Sequence, residues 1–240
     1  MSEDPKQLTR AAKQLIETDL LLGGQFLSAD RPETAQTPPS ASSGQKAEAL
    51  KAVEAHIQAC CCCSLGKSRT QPVFGEGNPD ADLVFVGEAP GVEEDRTGRP
   101  FVGRAGELLT KMIVAMGLSR EEVFICNILK CRPPNNRAPA PDEVQACWPN
   151  LVRQLQIIQP KVIVTLGNPA THNLLETKIG ITKLRGQWQE LPDIGEGLAG
   201  IKVMPTFHPA YILRQYTPEN RKKVWDDLQK AMAELGLNSR

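Results

Sequence analysis

The sequence has no excess of either charge: 28 Lys and Arg balance 28 Asp and Glu over 240 residues. That balance excludes a broadly basic nucleic-acid coat and an acidic solvating tail, so any phosphate-binding surface must be local. The start of the chain lacks a basic stretch leading into an apolar one. Its longest uncharged run there, residues 20–29, falls far short of the ~20 apolar residues a membrane helix needs. We therefore expect a cytoplasmic protein with no membrane attachment. The glycine- and proline-punctuated loop at 87–106 has neither the Lys-Ser/Thr of a P-loop nor the G-x-G-x-x-G of a dinucleotide site. Hydrolysis of a nucleoside triphosphate has no support, and no internal repeat is found. Aromatic residues make up only 5% of the chain and histidines number three.

With 40% apolar residues the chain is long enough to bury a real core. Leu8, Ala11, Ala12, Leu15, Ile16, Leu20 and Leu22 recur at helical spacing, which predicts an amphipathic helix within residues 1–27. It packs on its own domain or docks a partner. Residues 28–45, rich in Ser, Ala, Thr and Pro, read as a flexible linker, and the main domain covers 46–240. Four short apolar runs, at 83–87, 123–128, 162–167 and 201–206, read as buried strands. Helical patterns at 46–59, 104–117, 142–159, 168–177 and 218–236 alternate with them. That alternation predicts an α/β fold, a mainly parallel sheet covered by helices on both faces. Ligands of such folds bind beyond the carboxyl ends of the strands. Here the segments after those ends are 87–91, 127–137 and 207–211, so the site belongs there. Pro149 is expected to kink the helix at 142–159 or to start it afresh.

Seven cysteines, at 60, 61, 62, 63, 126, 131 and 147, form an odd, bunched set. In a cytoplasmic protein this pattern reads as metal or redox chemistry and not as a disulfide framework. Cys60 and Cys63 make the one C-x-x-C pair, and Cys131 and Cys147 make a wider one. The spacing fits a [4Fe–4S] cluster, a tetrahedral zinc or unliganded thiols, with the wide second pair favouring the cluster. Cys126, inside an apolar run, reads as a small core residue.

The sequence GEAPG-x-x-E-D-x-x-GRPFVG-x-AG-x-LL begins at Gly87. It is followed by N-x-x-x-CRPP-x-NR from Asn127 and by HPAY-x-LR from His208. Over about residues 60–221 the chain closely resembles the family 4 uracil-DNA glycosylases. The resemblance implies a three-layer α/β/α fold around a four-stranded, mainly parallel sheet. It also implies a [4Fe–4S] cluster on Cys60, Cys63, Cys131 and Cys147, with Leu65 and Arg69 fixing the register. The implied substrate is uracil-containing DNA, single- or double-stranded, attacked by a monomer that starts base excision repair. The opening forty-odd residues are not covered by the resemblance; if their helix docks a partner, the expected class is a replication or repair protein.

The residue types suit that chemistry. An extruded base must be held in a fitted pocket. Phe101 offers a stacking face, and base–aromatic stacking of about 1–3 kcal/mol offsets much of the extrusion cost. Asn127 offers one amide donor and one acceptor, matching uracil O4 and N3–H, where cytosine presents the reverse. His208 can donate to uracil O2 as the glycosidic bond breaks, with no protonation state assumed. Otherwise these three read as a core ring, a strand-end turn residue and a cap before Pro209. Glu88, Glu94 and Asn136 are candidates to orient the attacking water. The resemblance implies that Gly87, Glu88 and Ala89 line the uracil pocket and that Glu94 lies near uracil C5. Asp95 is expected to order the loop through Arg99 or Arg104. Between 99 and 137 seven basic residues face three acidic ones. Arg132, Arg137, Lys183, Arg185 and Arg214 are the candidates for DNA phosphates. Tyr211, Ile212 and Leu213 form a wedge into the duplex or pack beneath His208.

Overall fold

The computed structural model describes residues 43–237. The helix expected within 1–27 and most of the expected linker lie outside the described residues. The first described helix, α1 (Ser43–Ala59), takes in residues 43–45, which composition had put in the linker. A first turn tolerates Ser and Gly because its N–H groups have no intrahelical acceptor to lose.

Six strands form one sheet: β1 (Glu76–Gly77), β2 (Leu83–Gly87), β3 (Phe124–Asn127), β4 (Val162–Leu166), β5 (Gln189–Glu190) and β6 (Lys202–Thr206). Their order is β1-β3-β2-β4-β6-β5. The inner four are parallel and coincide with the four apolar runs. The two-residue strands β1 and β5 add antiparallel edges that were not expected, which enlarges the four-stranded sheet to six. So short a segment has no alternation to read and pairs only because tertiary structure brings it alongside.

Period-two geometry sends alternate residues of each inner strand to opposite faces. Leu83, Phe85, Ile125, Val162, Val164 and Met204 pack on one side. They meet Leu109 and Ile113 of α3 (Arg104–Ala115), Ile212 of α7 (Pro209–Arg214) and Val224 and Leu228 of α8 (Pro218–Glu234). Val84, Val86, Phe124, Cys126, Ile163 and Val203 pack on the other side. They meet Leu50 and Ile57 of α1, Leu151 and Leu155 of α4 (Pro141–Ile158), and Ala170 and Leu174 of α5 (Asn168–Leu174). The result is a three-layer α/β/α arrangement in which Cys126, 1% exposed, is the core residue its context suggested. Three short helices were not foreseen: α2 (Val92–Thr97), α6 (Ile181–Leu184) and α7, each within two turns and too brief for periodicity to register.

Of the two outcomes expected at Pro149, the fresh start does not occur: α4 runs unbroken from Pro141 to Ile158. Pro149 and Gln145 both lie on the exposed face. The carbonyl deprived of its partner can therefore be hydrated, and the proline is tolerated at a cost in stability. Pro149→Ala should raise unfolding free energy by about 1–3 kcal/mol, read from urea denaturation with an unchanged m value. A drop in stability would show that the proline shapes the helix.

Candidate active site

The register of the parallel strands sets Gly87, last in β2, directly beside Asn127, last in β3. Gly87 is needed there for space. A Cβ on it would lie 2.3 Å from Asn127 Oδ1 and 2.5 Å from Phe101 Cζ. Gly87 therefore forms the floor that lets the carboxamide and the ring close on each other. Asn127 is 2% exposed, and its Oδ1 is buried without a hydrogen-bond partner. An orphaned acceptor of this kind carries a desolvation cost that a ligand donor would relieve.

Phe101 sits between α2 and α3 with φ of 52°, a left-handed backbone uncommon for a bulky residue. Its ring lies 5.8 Å from that of His208, tilted by 32°. The loop beneath is tied by Glu94, whose carboxylate accepts from the N–H groups of Gly91 at 3.1 Å and of Val102 and Gly103 at 2.9 Å each. Glu94 borders the cavity as expected, but these bonds make it the organiser of the 91–103 loop. Asp95 does not pair with Arg99 or Arg104, contrary to expectation. It accepts instead from the Thr70 N–H at 3.0 Å and hydroxyl at 2.7 Å, tying the site loop to the segment after the cysteine run.

His208 follows β6 and caps α7: its Nδ1 accepts from the Ala210 N–H at 3.0 Å. The capping reading is what the bond shows, and the same residue also stands on the cavity lining. With Nδ1 accepting, the neutral ring carries its proton on Nε2, free to donate into the cavity. Burial, helped by the Arg214 guanidinium and opposed by Glu94, lowers the imidazole pKa to about 4. At neutral pH His208 is therefore an uncharged donor.

Phe101, Asn127, His208, Glu88, Ala89 and Glu94 share one cavity of about 290 Å³. Asn136, Arg137 and Arg214 stand on its lining too. Gly87, expected on the lining, is not part of it. Burial pushes the half-buried Glu88 carboxyl up from its ordinary pKa. Asn135 and Asn136 both adopt positive φ, a conformation asparagine tolerates, and Asn136 Oδ1 accepts from Arg132 Nε at 2.7 Å. Arg137 forks onto Glu143 at 2.5 and 2.8 Å, and Glu143 also accepts from the Ala140 N–H. These bonds hold the Glu143 carboxyl at a pKa of about 2.

The other basic candidates divide. Lys183 is exposed on α6, outside the cavity lining. Arg185 turns inward, forks onto the fully buried Asp227 and lies over the Phe207 ring, so it braces the strand that precedes His208. Of the suggested wedge, Ile212 is fully buried and Tyr211 packs on Phe207 with ring centroids 4.8 Å apart, which is the packing alternative. Thr70 and Glu143 escaped the sequence reading. The partner of Thr70 is 25 positions away, so no local signal marks it, whereas Glu143 stands in the first turn of α4 and accepts from the Ala140 N–H three residues before it, a local helix-start pattern.

Cys60, Cys62, Cys63, Cys131 and Cys147 line a second, smaller cavity of about 20 Å³, with Cys61 outside it. Cys62, expected to be a bystander, thus reaches the lining as well. Donors point at the sulfurs: Arg69 Nη1 lies 3.0 Å from Cys131 Sγ and the Lys130 N–H 3.3 Å from Cys147 Sγ. Arg69 also donates to the Gln58 and Cys60 carbonyls, closing the segment around the thiols. Among the described residues no three potential ligands converge tightly enough for a single ion.

The segments after β2, β3 and β6 thus converge on one cavity, beside a separate cysteine cavity, in a three-layer α/β/α fold. A family model for the uracil DNA glycosylase superfamily matches residues 74–229, and the chain belongs to that superfamily. It is similar to the type-4 uracil-DNA glycosylase of Thermotoga maritima, 49% identical over 77% of this chain and 93% of that protein. The type-4 enzyme of Sulfurisphaera tokodaii is 47% identical, over 76% of this chain and 83% of its own length. That of Archaeoglobus fulgidus is 46% identical, over 76% and 92%.

An NMR titration should give His208 a midpoint of about 4. Because an unfolded histidine protonates near 6.5, the unfolded chain binds more protons between the two values. The contribution of this group to stability is complete above pH ~6.5 and is lost as pH falls toward about 4. A midpoint near 6.5 would overturn the buried, neutral assignment.

Proposed function

We propose that the protein is a monofunctional uracil-DNA glycosylase that hydrolyses the bond between uracil and deoxyribose, leaving an abasic site for base excision repair. The observation that carries this reading is the buried, unpartnered Asn127 Oδ1 against the Phe101 ring. Uracil N3–H would satisfy that oxygen, and the Asn127 amide would donate to O4. Cytosine, with an acceptor at N3 and donors at N4, would leave buried groups unpaired at about 1–3 kcal/mol each. Phe101 stacks on the base and recovers part of the cost of extrusion. Neutral His208 donates from Nε2 to O2, where negative charge gathers as the bond to C1′ breaks. Water is oriented by Glu88 and Asn136, which border the same cavity. Among the described residues no lysine lines it, so attack by water and not by an amine fits the residues present.

Arg132, Arg137, Lys183 and Arg214 are the proposed phosphate contacts, with Arg185 left to brace the strand before His208. The substrate is uracil in single- or double-stranded DNA, met by a monomer in the cytoplasm. No helix among the described residues is long and apolar enough to cross a membrane. Cys60, Cys63, Cys131 and Cys147 are the proposed holders of a [4Fe–4S] cluster. The fit rests on a cavity lined by these thiols and on N–H donors aimed at two of them. Thiols spread around a cavity suit the separate iron corners of a cluster better than one central ion. Such a cluster would supply structure, holding the 60–70 segment against the segment from Cys131 to Cys147.

Incubation of the full chain with uracil-containing oligonucleotides, followed by alkali, should cleave the strand at each uracil. Absence of scission above control overturns the enzyme reading. Asn127→Ala should lower excision about a hundredfold or more and His208→Ala by about 10²–10³, both with affinity for undamaged DNA retained. Equal loss of both properties would point to misfolding. Cys131→Ala should lose bound iron and sulfide, whereas Cys62→Ala should keep them. Loss in the second variant would move a ligand from Cys60 or Cys63 to Cys62.

A further inference from the structure

Phe101 is held in a backbone conformation it would not adopt alone, and the residue that holds it lies outside every motif. Arg120, in the turn after α3, has a side chain only 12% exposed. Its Nη2 donates to the Pro100 carbonyl at 2.7 Å and its Nη1 to the Phe101 carbonyl at 3.1 Å. Nη1 also lies 3.2 Å from Thr110 Oγ1, and Nε meets Glu76 at 3.1 Å. The same Glu76 carboxylate takes two bonds from Arg99, at 2.7 and 2.9 Å, just before Pro100. One carboxylate on the edge strand β1 thus joins two guanidiniums that bracket the Pro100–Phe101 turn. Gly106 also packs on the Phe101 backbone, so closely that a Cβ there would lie 1.9 Å from its carbonyl.

We infer that Arg120, fixed by Glu76, is a positioning residue for uracil excision: it locks Phe101 in its left-handed conformation so that the ring faces the base slot. This rests on the stacking role proposed for Phe101. A left-handed backbone is disfavoured for a bulky residue and persists only where its surroundings over-determine it. The planar fork of a guanidinium can grip two consecutive carbonyls while a third nitrogen holds the carboxylate; an ammonium offers no such fixed geometry. Without the grip, the Pro100–Phe101 turn relaxes toward extended backbone and the ring leaves the floor formed by Gly87. Arg120 touches no substrate and acts through Phe101 alone.

The test is a set of full-length variants, Arg120→Ala, Arg120→Lys and Phe101→Ala, with both Arg120 changes also made in the Phe101→Ala background. We expect Arg120→Ala and Arg120→Lys to lower kcat/KM on a uracil oligonucleotide about ten- to hundredfold. In the Phe101→Ala background the same changes should cost less than about twofold, since the ring they position is gone. Crystal structures of the single Arg120 variants should show Phe101 at negative φ with its ring withdrawn from Gly87. Arg120→Lys keeps the charge opposite Glu76 and guards against a folding defect in the alanine variant. Equal losses in both backgrounds, undiminished activity, or a Phe101 still at positive φ in the lysine variant each overturn the inference. Undiminished excision by Phe101→Ala would instead sink the stacking reading, while the backbone of Phe101 in the Arg120 variants would still decide whether Arg120 holds it.

Discussion

The structure depends on a close approach between two parallel strand ends. Gly87 and Asn127 are register partners, and the absence of a side chain on one lets the carboxamide of the other and the Phe101 ring share a space that a single methyl would fill. Parallel pairing puts all carboxyl ends on one edge, so the segment leading to His208 emerges beside them. An acceptor left without a partner in that closed space is unfavourable for folding and favourable for recognition. On the proposed reading, uracil N3–H would satisfy it.

Around that slot, loops are tied down by carboxylates, of which Asp95 and Glu143 are buried. Glu94 gathers three N–H groups of its own loop, Asp95 ties that loop to Thr70, and Glu143 holds Arg137 and Ala140. Lys130 is buried and donates to the Asn127 carbonyl at 2.8 Å and to Gln154 at 2.5 Å, while its own N–H points at Cys147. Burial lowers the Lys130 pKa, the expected response of an ammonium withdrawn from water. Through these contacts the cysteine cavity and the base slot share a framework: Thr70 lies one residue beyond Arg69, and Lys130 lies between Asn127 and Cys131. The buried Arg185–Asp227–Thr206 network serves the third strand end in the same way.

The inner strands and long helices were legible because each carries enough residues to show its period. The two faces of the sheet follow from alternation in 83–87, 124–127, 162–166 and 202–206. Phe101, Asn127, His208 and the cysteine pairs stood in motifs dense enough to be recognised. What escaped lacked a period or a neighbour. The edge strand β1 has two residues, α2, α6 and α7 at most six each, and Pro149 was judged by local propensity when its solvent-facing position decided the outcome. Arg185 illustrates the limit for charge: it borders the site in sequence, yet a buried carboxylate 42 positions away claims it.

By itself, the order of residues determined the layered α/β architecture and the edge of the sheet where the candidate side chains gather. These depend on local periodicity and on chain direction in parallel strands, which are properties of contiguous segments. Only the tertiary structure decided that His208 is neutral with its proton on Nε2, that Glu94 organises a loop, and that Arg120 grips the turn carrying Phe101. Those outcomes depend on burial and on hydrogen bonds between distant segments, and a charge or a donor acquires its role only when folding fixes what lies opposite it.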